Sequence, residues 1–278
     1  MSLPTRMIRK LKYSNLLRKY PMLRKSLRMV GIGIAHNVCK NGVVKSIGGA
    51  ETFLLSPQFI FTDTLNERNN SGFRKLLKLA KDRKVVFDIG AHIGLYTLPI
   101  SKVLDGHGTL YAFEPSETNL LYLRTHLDLN LIRNVVIVPF LVGKECVTEV
   151  GFYEAAVESS MNSICDYGNF KGNKVKFSKV RKKQISIDSF VEECKCVPEL
   201  IKIDVEGSEI DVLAGAKNIL KKYHPDIILS VHPGHLKLMG RSTDELIEVA
   251  SEVGYQFYEI DESPLLPNRL RPREYYLK

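Results

Sequence analysis

The sequence predicts an α/β fold in which a mostly parallel sheet of seven strands carries helices on both faces. Short apolar segments alternate with amphipathic helical patterns from residue 85 onward. The apolar segments are nearly continuous rather than alternating, which is typical of parallel strands that are buried on both faces. A chain of 278 residues, 44% of them hydrophobic, is long enough to bury the core of such a sheet.

Seven segments are predicted as the strands of this sheet. In chain order they are KVVFDIG, GTLYAFEP, NVVIVPF, ELIKID, DIILSVHP, YQFYEID and REYYLK. Amphipathic helices are expected between them. The helix of SETNLLYLRTHLDLN is expected to begin with Ser116 as its N-cap, since serine is favoured there and Asn119 follows three residues later.

Three regions are predicted along the chain. Residues 1–50 form a basic, partly helical extension, residues 51–84 a helical or irregular lead-in, and residues 85–278 the main domain. An insert at about 146–183 breaks the strand–helix rhythm of this domain. Within and beside the insert, EVGFYEAAVESSMNSI and KQISIDSF are expected to form extra strands around a basic loop.

The positive charge of the chain is concentrated in its N-terminal segment. Of 40 Lys and Arg residues, nine lie within residues 1–28, where there is no Asp or Glu, which leaves 31 basic against 31 acidic residues. Leu23, Leu27 and Val30 recur there at helical spacing. Two interpretations of residues 1–28 stay open. The segment either contacts an anionic membrane peripherally or is a solvated basic arm without a dedicated partner. Nucleic acid is not expected as a partner, because the remaining chain is neutral.

The cysteines indicate a reducing compartment. There are five, scattered along the chain and without a Cys-x-x-Cys pair, which argues against a disulfide framework. Cys194 and Cys196 are expected to lie too close for a relaxed disulfide. A cytoplasmic location is therefore predicted, with association at the membrane surface as the further expectation.

The turn after the first strand, in FDIGAHIGLYT, has the character of a nucleotide-binding turn. Gly90 and Gly94 stand where nicotinamide-binding turns have glycines, but His92 occupies the place of the middle glycine. Asp88 lies directly before the turn, where its charge would repel a pyrophosphate and attract a cation. A nicotinamide-dependent reductase is therefore disfavoured.

Glu114 ends the second strand, where an acid can accept hydrogen bonds from both hydroxyl groups of a ribose. Together with Asp88 and the two glycines, it fits a ligand that has a ribose and a positive centre. The sequence therefore predicts S-adenosylmethionine as the cofactor.

Four segments, FDIGAHIGLYT, AFEP, SIDSF and LIKIDVEGSEIDVLAG, together closely resemble the FkbM-type S-adenosylmethionine-dependent methyltransferases. The resemblance covers about residues 84–278 and implies a Rossmann-like class I methyltransferase fold. It implies that Glu114 holds the ribose and that Leu141 and Val142 border the adenine. The residues implied to line the methionine and sulfonium part are Asp88, Gly90, His92 and Gly94.

The fourth strand runs into a group of acids, and alternate residues of a strand share a face, so Lys202 and Asp204 should project together. Asp204 is expected either to receive an acceptor hydroxyl or to hold the ammonium group of the cofactor. Glu206 and Glu209 are expected in the first turn of the next helix, Glu206 with a functional role and Glu209 with a structural one.

His232 ends the fifth strand and could act as a base near neutral pH. Asp204, Glu206 and His232 are thus the predicted catalytic residues, and the choice of base among them stays open. With His235 they lack a defined ligand pattern, so no metal is predicted. Candidate acceptor contacts in the insert are Ser159, Ser160 and Asn162.

The leading functional hypothesis is O-methyl transfer to a hydroxyl of a small molecule, such as a sugar, glycolipid or secondary metabolite. The oxygen acceptor follows from the family resemblance, since DVEG stands after the fourth strand in place of an amino-methylation signature. The alternatives are an RNA or protein methyltransferase that uses the basic tail and a non-catalytic membrane-surface protein with a degenerate nucleotide fold. The oligomeric state is not predicted.

Overall fold

The computed structural model describes residues 19–49, 51–61, 70–154, 177–265 and 270–278. Its strands are β1 (Val43–Ile47), β2 (Glu51–Leu55), β3 (Val85–Ile89), β4 (Thr109–Phe113), β5 (Val135–Val138), β6 (Leu141–Val142), β7 (Val147–Glu154), β8 (Ser178–Ile185), β9 (Leu200–Ile203), β10 (Asp226–Val231), β11 (Phe257–Tyr258) and β12 (Arg273–Leu277). Its helices are α1 (Pro21–Val38), α2 (Phe73–Ala80), α3 (Thr97–Leu104), α4 (Glu117–Leu129), α5 (Ile187–Cys194), α6 (Glu209–Ala214), α7 (Lys217–Tyr223), α8 (Pro233–Leu238) and α9 (Thr243–Glu252).

All seven predicted strands lie in one sheet, in the order β11-β12-β10-β9-β3-β4-β5. Strands β3, β4, β5, β9 and β10 are parallel, whereas β12 runs antiparallel to β10 and β11. This confirms the mostly parallel α/β fold. The chain moves outward from β3 to β5 and then returns to the other side of β3, so the strand order reverses between β3 and β9. Ligands bind at such a reversal, beside the carboxyl ends of the strands.

Each face of the sheet buries its own apolar cluster, because successive residues of a strand point to opposite faces. On β3, Phe87 and Ile89 contribute to one cluster and Val86 to the other. Helices α5, α6, α7 and α9 cover the first face, and α2, α3 and α4 cover the second. Helices therefore pack on both faces, as predicted.

The lead-in contains a strand that the sequence analysis did not predict. Strand β2 pairs antiparallel with β1 to form a hairpin. Gly48 and Gly49 connect the two strands with φ values of 61° and 77°. Glycine adopts this left-handed backbone without steric cost, so the glycine pair is the hairpin signal in this part of the sequence.

Two extra strands flank the insert as predicted, since β7 and β8 pair antiparallel. The predicted extent of the second, KQISIDSF, is wrong, because its last residues belong to a helix. Strand β8 ends at Ile185, and α5 begins at Ile187. The hydroxyl of Ser186 accepts a hydrogen bond from the backbone N–H of Ser189 at 3.2 Å, which caps the helix and ends the strand. The rest of the insert, including Ser159, Ser160 and Asn162, lies outside the described residues.

Cys194 and Cys196 form a disulfide, contrary to expectation. Lys195 between them has a φ of 56°, and the two Cα atoms lie 5.3 Å apart. The left-handed backbone at the intervening residue folds the chain back, and the Cα separation falls within the range that disulfides span.

Within the described residues of the N-terminal extension, α1 is the helix. Pro21 occupies its first turn, where proline is tolerated because no intrahelical hydrogen bond is lost there. Over the described ranges, no helix combines the length and the apolarity needed to cross a membrane.

Candidate active site

A cavity of about 420 Å³ opens at the carboxyl ends of β3, β9 and β10, beside the reversal of strand order. Of the predicted cofactor and catalytic residues, those on its walls are Gly90, His92, Glu114, Leu141, Val142, Asp204, Glu206 and His232. The structure thus brings both predicted groups to one cavity. Asp88 and Gly94 are not on its walls.

The turn after β3 lies against the end of β9. Gly90 has a φ of 86°, and a Cβ atom placed on it would lie 1.9 Å from the carbonyl oxygen of Asp204. The backbone N–H groups of Gly90 and Ala91 both donate to the carbonyl of Phe113 at 3.0 Å. Only glycine fits this conformation and this close approach. The turn is therefore held in contact with Asp204.

Glu114 is held rigidly by backbone and side-chain donors. It is 4% exposed and accepts hydrogen bonds from the N–H of His92 at 2.8 Å, the N–H of Ser116 at 2.9 Å and the amide of Asn119 at 3.1 Å. A carboxylate has about four acceptor positions, so about one is left for a ligand. Burial raises the pKa of Glu114 to about 7, although its hydrogen bonds oppose the shift.

Asp88 lies behind the cavity wall and does not line the cavity. It is fully buried, accepts a hydrogen bond from the hydroxyl of Thr97 at 2.7 Å and lies 3.2 Å from the Nζ of Lys202. Asp88 and Lys202 are directly opposite each other in the β3–β9 register. Gly94 packs against Leu123 on α4. Asp88 and Gly94 were both predicted to contact the cofactor. Their positions away from the cavity walls do not support that prediction.

Lys202 lines the cavity but was not among the predicted site residues. It is 2% exposed, and its Nζ lies 3.7 Å from Asp204, 3.3 Å from the carbonyl of Gly90 and 4.6 Å above the ring of Tyr96. Burial alone would lower the pKa of Lys202, but the charges of Asp88 and Asp204 outweigh it and raise the pKa. Its signal in the sequence was a lysine inside an otherwise apolar central strand, since lysine is almost never buried without a partner.

A second unpredicted group lies next to Lys202 on the cavity wall. The hydroxyl of Tyr96 donates to Glu274, which is 3% exposed and accepts from the N–H of Gly72 at 2.6 Å, while Asn70 donates to the Tyr96 oxygen at 3.1 Å. Burial raises the pKa of Glu274. Glu274 comes from β12, which is distant in sequence, and REYYLK carries no signal that its acid turns toward the site.

Asp204, Glu206 and His232 converge on one part of the cavity. The Nε2 of His232 lies 3.5 Å from an oxygen of Asp204 and 3.6 Å from an oxygen of Glu206. Glu206 is not in the following helix as predicted. It has a φ of 51°, and Gly207 after it has a φ of 108°, so the chain turns sharply and α6 begins only at Glu209.

Glu209, predicted to be structural, contacts the histidine directly. It is fully buried, and its carboxylate lies 2.7 Å from the Nδ1 of His232 and accepts from the N–H of Gly207 at 3.1 Å. Burial alone would lower the pKa of His232, but the bond to Glu209 and the charges of Glu206 and Asp204 raise it to about 9. His235 stacks on His232 and lies 2.8 Å from Glu206.

One ligand atom from each of Asp204, Glu206 and His232 lies within 4.8 Å of the others, a spacing that a divalent cation could bridge. The absence of a metal at these residues stays a prediction.

The walls fit a cation that carries a ribose and an aromatic base. Four carboxyl groups line the cavity, those of Glu114, Asp204, Glu206 and Glu274. Among the lining cations, Lys202 is paired with Asp88, and Arg273 donates to Glu259 at 2.9 Å. Apolar surface for an aromatic base such as adenine comes from Leu141, Val142 and Phe152. S-adenosylmethionine, with a sulfonium, an ammonium, a ribose diol and an adenine, matches these features, so the cavity is suited to this cofactor.

The family model "Methyltransferase FkbM domain" matches residues 88–257, which is more than half of the chain. The chain therefore belongs to the FkbM methyltransferase domain family. This confirms the resemblance that the four sequence segments indicated. No curated protein matches the sequence.

Several solved structures are similar to the chain at low identity. The methyltransferase FkbM from Methylobacillus flagellatus is 21% identical over 72% of this chain, with a TM-score of 0.45, and this chain spans 44% of its length. A precorrin-6y C5,15-methyltransferase from Geobacter metallireducens is 14% identical over 74% of this chain and 86% of its own, with a TM-score of 0.42. TYW2 from M. jannaschii, in complex with AdoMet, is 15% identical over 85% of this chain and 83% of its own, with a TM-score of 0.38.

Proposed function

We propose that this chain transfers a methyl group from S-adenosylmethionine to a hydroxyl of a small molecule, such as a sugar, a glycolipid or a secondary metabolite. The observation that carries the proposal is the convergence of Asp204, Glu206 and His232 on the cavity that the Gly90 turn borders. The cofactor supplies, when bound, a methyl group on a positively charged sulfur. The chain must therefore orient an acceptor oxygen and remove its proton.

His232 is the proposed base. Glu209 holds its Nδ1, so that Nε2 is the nitrogen that faces the cavity carboxylates. The reacting hydroxyl of the acceptor gives its proton to the Nε2 of His232, and its oxygen can then take the methyl group that a bound cofactor would supply. A pKa of about 9 makes His232 a strong base that is mostly protonated at neutral pH. A cationic ligand in the cavity would lower that pKa toward neutrality, because it stabilises the uncharged imidazole relative to the imidazolium.

Asp204 is proposed to accept a hydrogen bond from the acceptor and so to orient it. Asn70 and Ser230 also line the cavity and add neutral hydrogen-bonding groups that suit a polyhydroxylated molecule. An acceptor with a phosphate beside its hydroxyl would face the carboxylates of Asp204, Glu206 and Glu274, which disfavours RNA. A cytoplasmic location stays a prediction.

The test is methyl transfer from labelled S-adenosylmethionine to a panel of hydroxylated acceptors. Asp204→Asn should leave donor affinity within about threefold of wild type but reduce turnover about 100-fold, the usual scale for a positioned polar group. Asp211→Asn is the matched control, since Asp211 belongs to the same segment, pairs with Arg241 at 3.4 Å and does not line the cavity.

His232→Gln should likewise spare donor binding, and it should remove the rise of kcat with pH that the wild type shows. Full turnover in Asp204→Asn would refute the orienting role. If donor binding is intact, label transferred only to amines would refute the hydroxyl acceptor, and label transferred only to RNA would refute the small-molecule acceptor.

A further inference from the structure

Helix α1 exposes an apolar face instead of burying it. Five aliphatic side chains follow one another at spacings of four, three, four and four residues, which keeps them on one face of a helix. We name them the apolar stripe. They are Leu23 (51% exposed), Leu27 (39%), Val30 (60%), Ile34 (58%) and Val38 (74%).

The helix is attached to the protein through its small residues. Ala35 is 3% exposed, and a Cβ atom on Gly31 would lie 2.7 Å from the ring of Phe61. Gly31 therefore allows the helix backbone to lie directly on this ring. The larger side chains of the stripe remain outside the contact, which reverses the usual orientation of an amphipathic helix on a protein body.

The segment that carries the stripe is uniformly basic. The first acidic residue of the chain is Glu51, and eleven Lys and Arg residues precede it. Lys19 and Lys40, on either side of the helix, are exposed. Over the rest of the chain, basic residues are matched by acids. An exposed apolar stripe within a purely cationic segment fits a surface that has an apolar layer beneath a negatively charged one.

We propose that α1 docks on the surface of a lipid bilayer that contains anionic phospholipid. The apolar stripe enters the boundary between headgroups and acyl chains, and the basic residues of the N-terminal segment attract the anionic headgroups. A second copy of the chain would bring two cationic segments together, which opposes self-association through this face. A nucleic acid would satisfy the charge but leave the stripe in water.

The experiment uses the full chain in cosedimentation with vesicles of phosphatidylcholine, with and without phosphatidylglycerol. Wild type should bind the mixed vesicles at least about tenfold more strongly than pure phosphatidylcholine, and salt should weaken this binding. The double variant Val30→Glu, Ile34→Glu should lose at least about tenfold of the binding, because it places two carboxylates in the stripe.

The matched control is Leu121→Glu, Leu131→Glu, which makes the same charge change at two leucines of the body that are 60% and 77% exposed. It should bind vesicles within about threefold of wild type. An equal loss in both double variants would show that only net charge matters and would overturn the role of the stripe. Equal binding of wild type to both vesicle types, or binding to neither, would overturn the proposal.

Two further readouts separate the remaining outcomes. All variants should keep the wild-type melting temperature and affinity for S-adenosylmethionine, since the substituted side chains are exposed and lie outside the cavity. A dimer in light scattering that the Val30→Glu, Ile34→Glu variant abolishes would instead assign the stripe to self-association and would overturn lipid docking.

Discussion

The two walls of the cavity are built in different ways. The donor wall, the Gly90 turn with Glu114, consists mainly of backbone, and its carboxylate is 4% exposed and holds three hydrogen bonds. The acceptor wall, Asp204, Glu206 and His232, consists of side chains that are 18% to 27% exposed. No hydrogen bond joins the Nε2 of His232 to either carboxylate at the 3.5 and 3.6 Å that separate them.

This difference matches the tasks that we assign to the walls. A donor that is the same in every reaction cycle is best served by a fixed backbone, because little is left to reorganise on binding. An acceptor wall of convergent charged side chains can be adapted to another molecule by substitution, since its geometry depends less on the close approach of two chain segments. The most severe effects of substitution are therefore expected at the donor wall.

The largest effect on donor binding is expected for Gly90→Ala. The new Cβ would lie 1.9 Å from the Asp204 carbonyl in a residue whose φ is 86°, so the turn and the end of β9 must separate. We expect donor affinity to fall at least about 100-fold, equivalent to about 2.7 kcal/mol. Calorimetric titration with S-adenosylmethionine measures this loss.

Gly106→Ala is the control for Gly90→Ala. Gly106 has a φ of 73°, but nothing lies within 4 Å of a Cβ placed on it. It should lose about 1 kcal/mol of stability from the unfavourable backbone alone and keep full donor affinity. If the two variants bind the donor equally well, the close approach of the turn to Asp204 has no role in binding.

A separate effect, on stability rather than on donor binding, is expected where the two walls meet at Lys202. Lys202→Met leaves the fully buried Asp88 without its cation, which should reduce the free energy of unfolding by about 3 to 5 kcal/mol in urea denaturation. The double variant Asp88→Asn, Lys202→Met removes both charges and should recover part of that loss. A double variant that is no more stable than Lys202→Met would show that the pair is not energetically coupled.

The sequence predicted the donor wall better than the acceptor wall. The positions of Gly90 and Glu114 follow from local rules, since each stands directly after a strand of a sheet whose parallel order was recognised. His232 and Asp204 were found by the same rule. Their orientation was not, because it depends on the turn at Glu206 and Gly207, which places Glu209 behind the histidine.

The residues that the sequence missed depend on long-range packing. Glu274 reaches Tyr96 and the N–H of Gly72 across about 200 positions of chain. Nothing local distinguishes it from a solvated acid on an edge strand, and only the register of β12 against β10 turns it toward the cavity. Lys202 had a local signal, but its partner Asp88 had been assigned to the cofactor, so the pairing of the two was not foreseen.

The smallest predicted effect is a pH dependence of donor affinity that originates in Glu114. Its pKa of about 7 means that its carboxyl is largely protonated below neutral pH, and a protonated carboxyl accepts a ribose hydroxyl less well. Because the donor favours the ionised form, affinity should fall as pH decreases through 7, by about tenfold from about pH 8 to about pH 6. Titration calorimetry across this range measures it. Glu114→Gln should bind more weakly and show a smaller slope. The part that remains comes from His232, because a bound cation lowers its pKa from about 9, and the double variant Glu114→Gln, His232→Gln should show no slope. A slope in Glu114→Gln that equals the wild-type slope would remove Glu114 from the ribose site, and a slope that persists in the double variant would place the proton elsewhere.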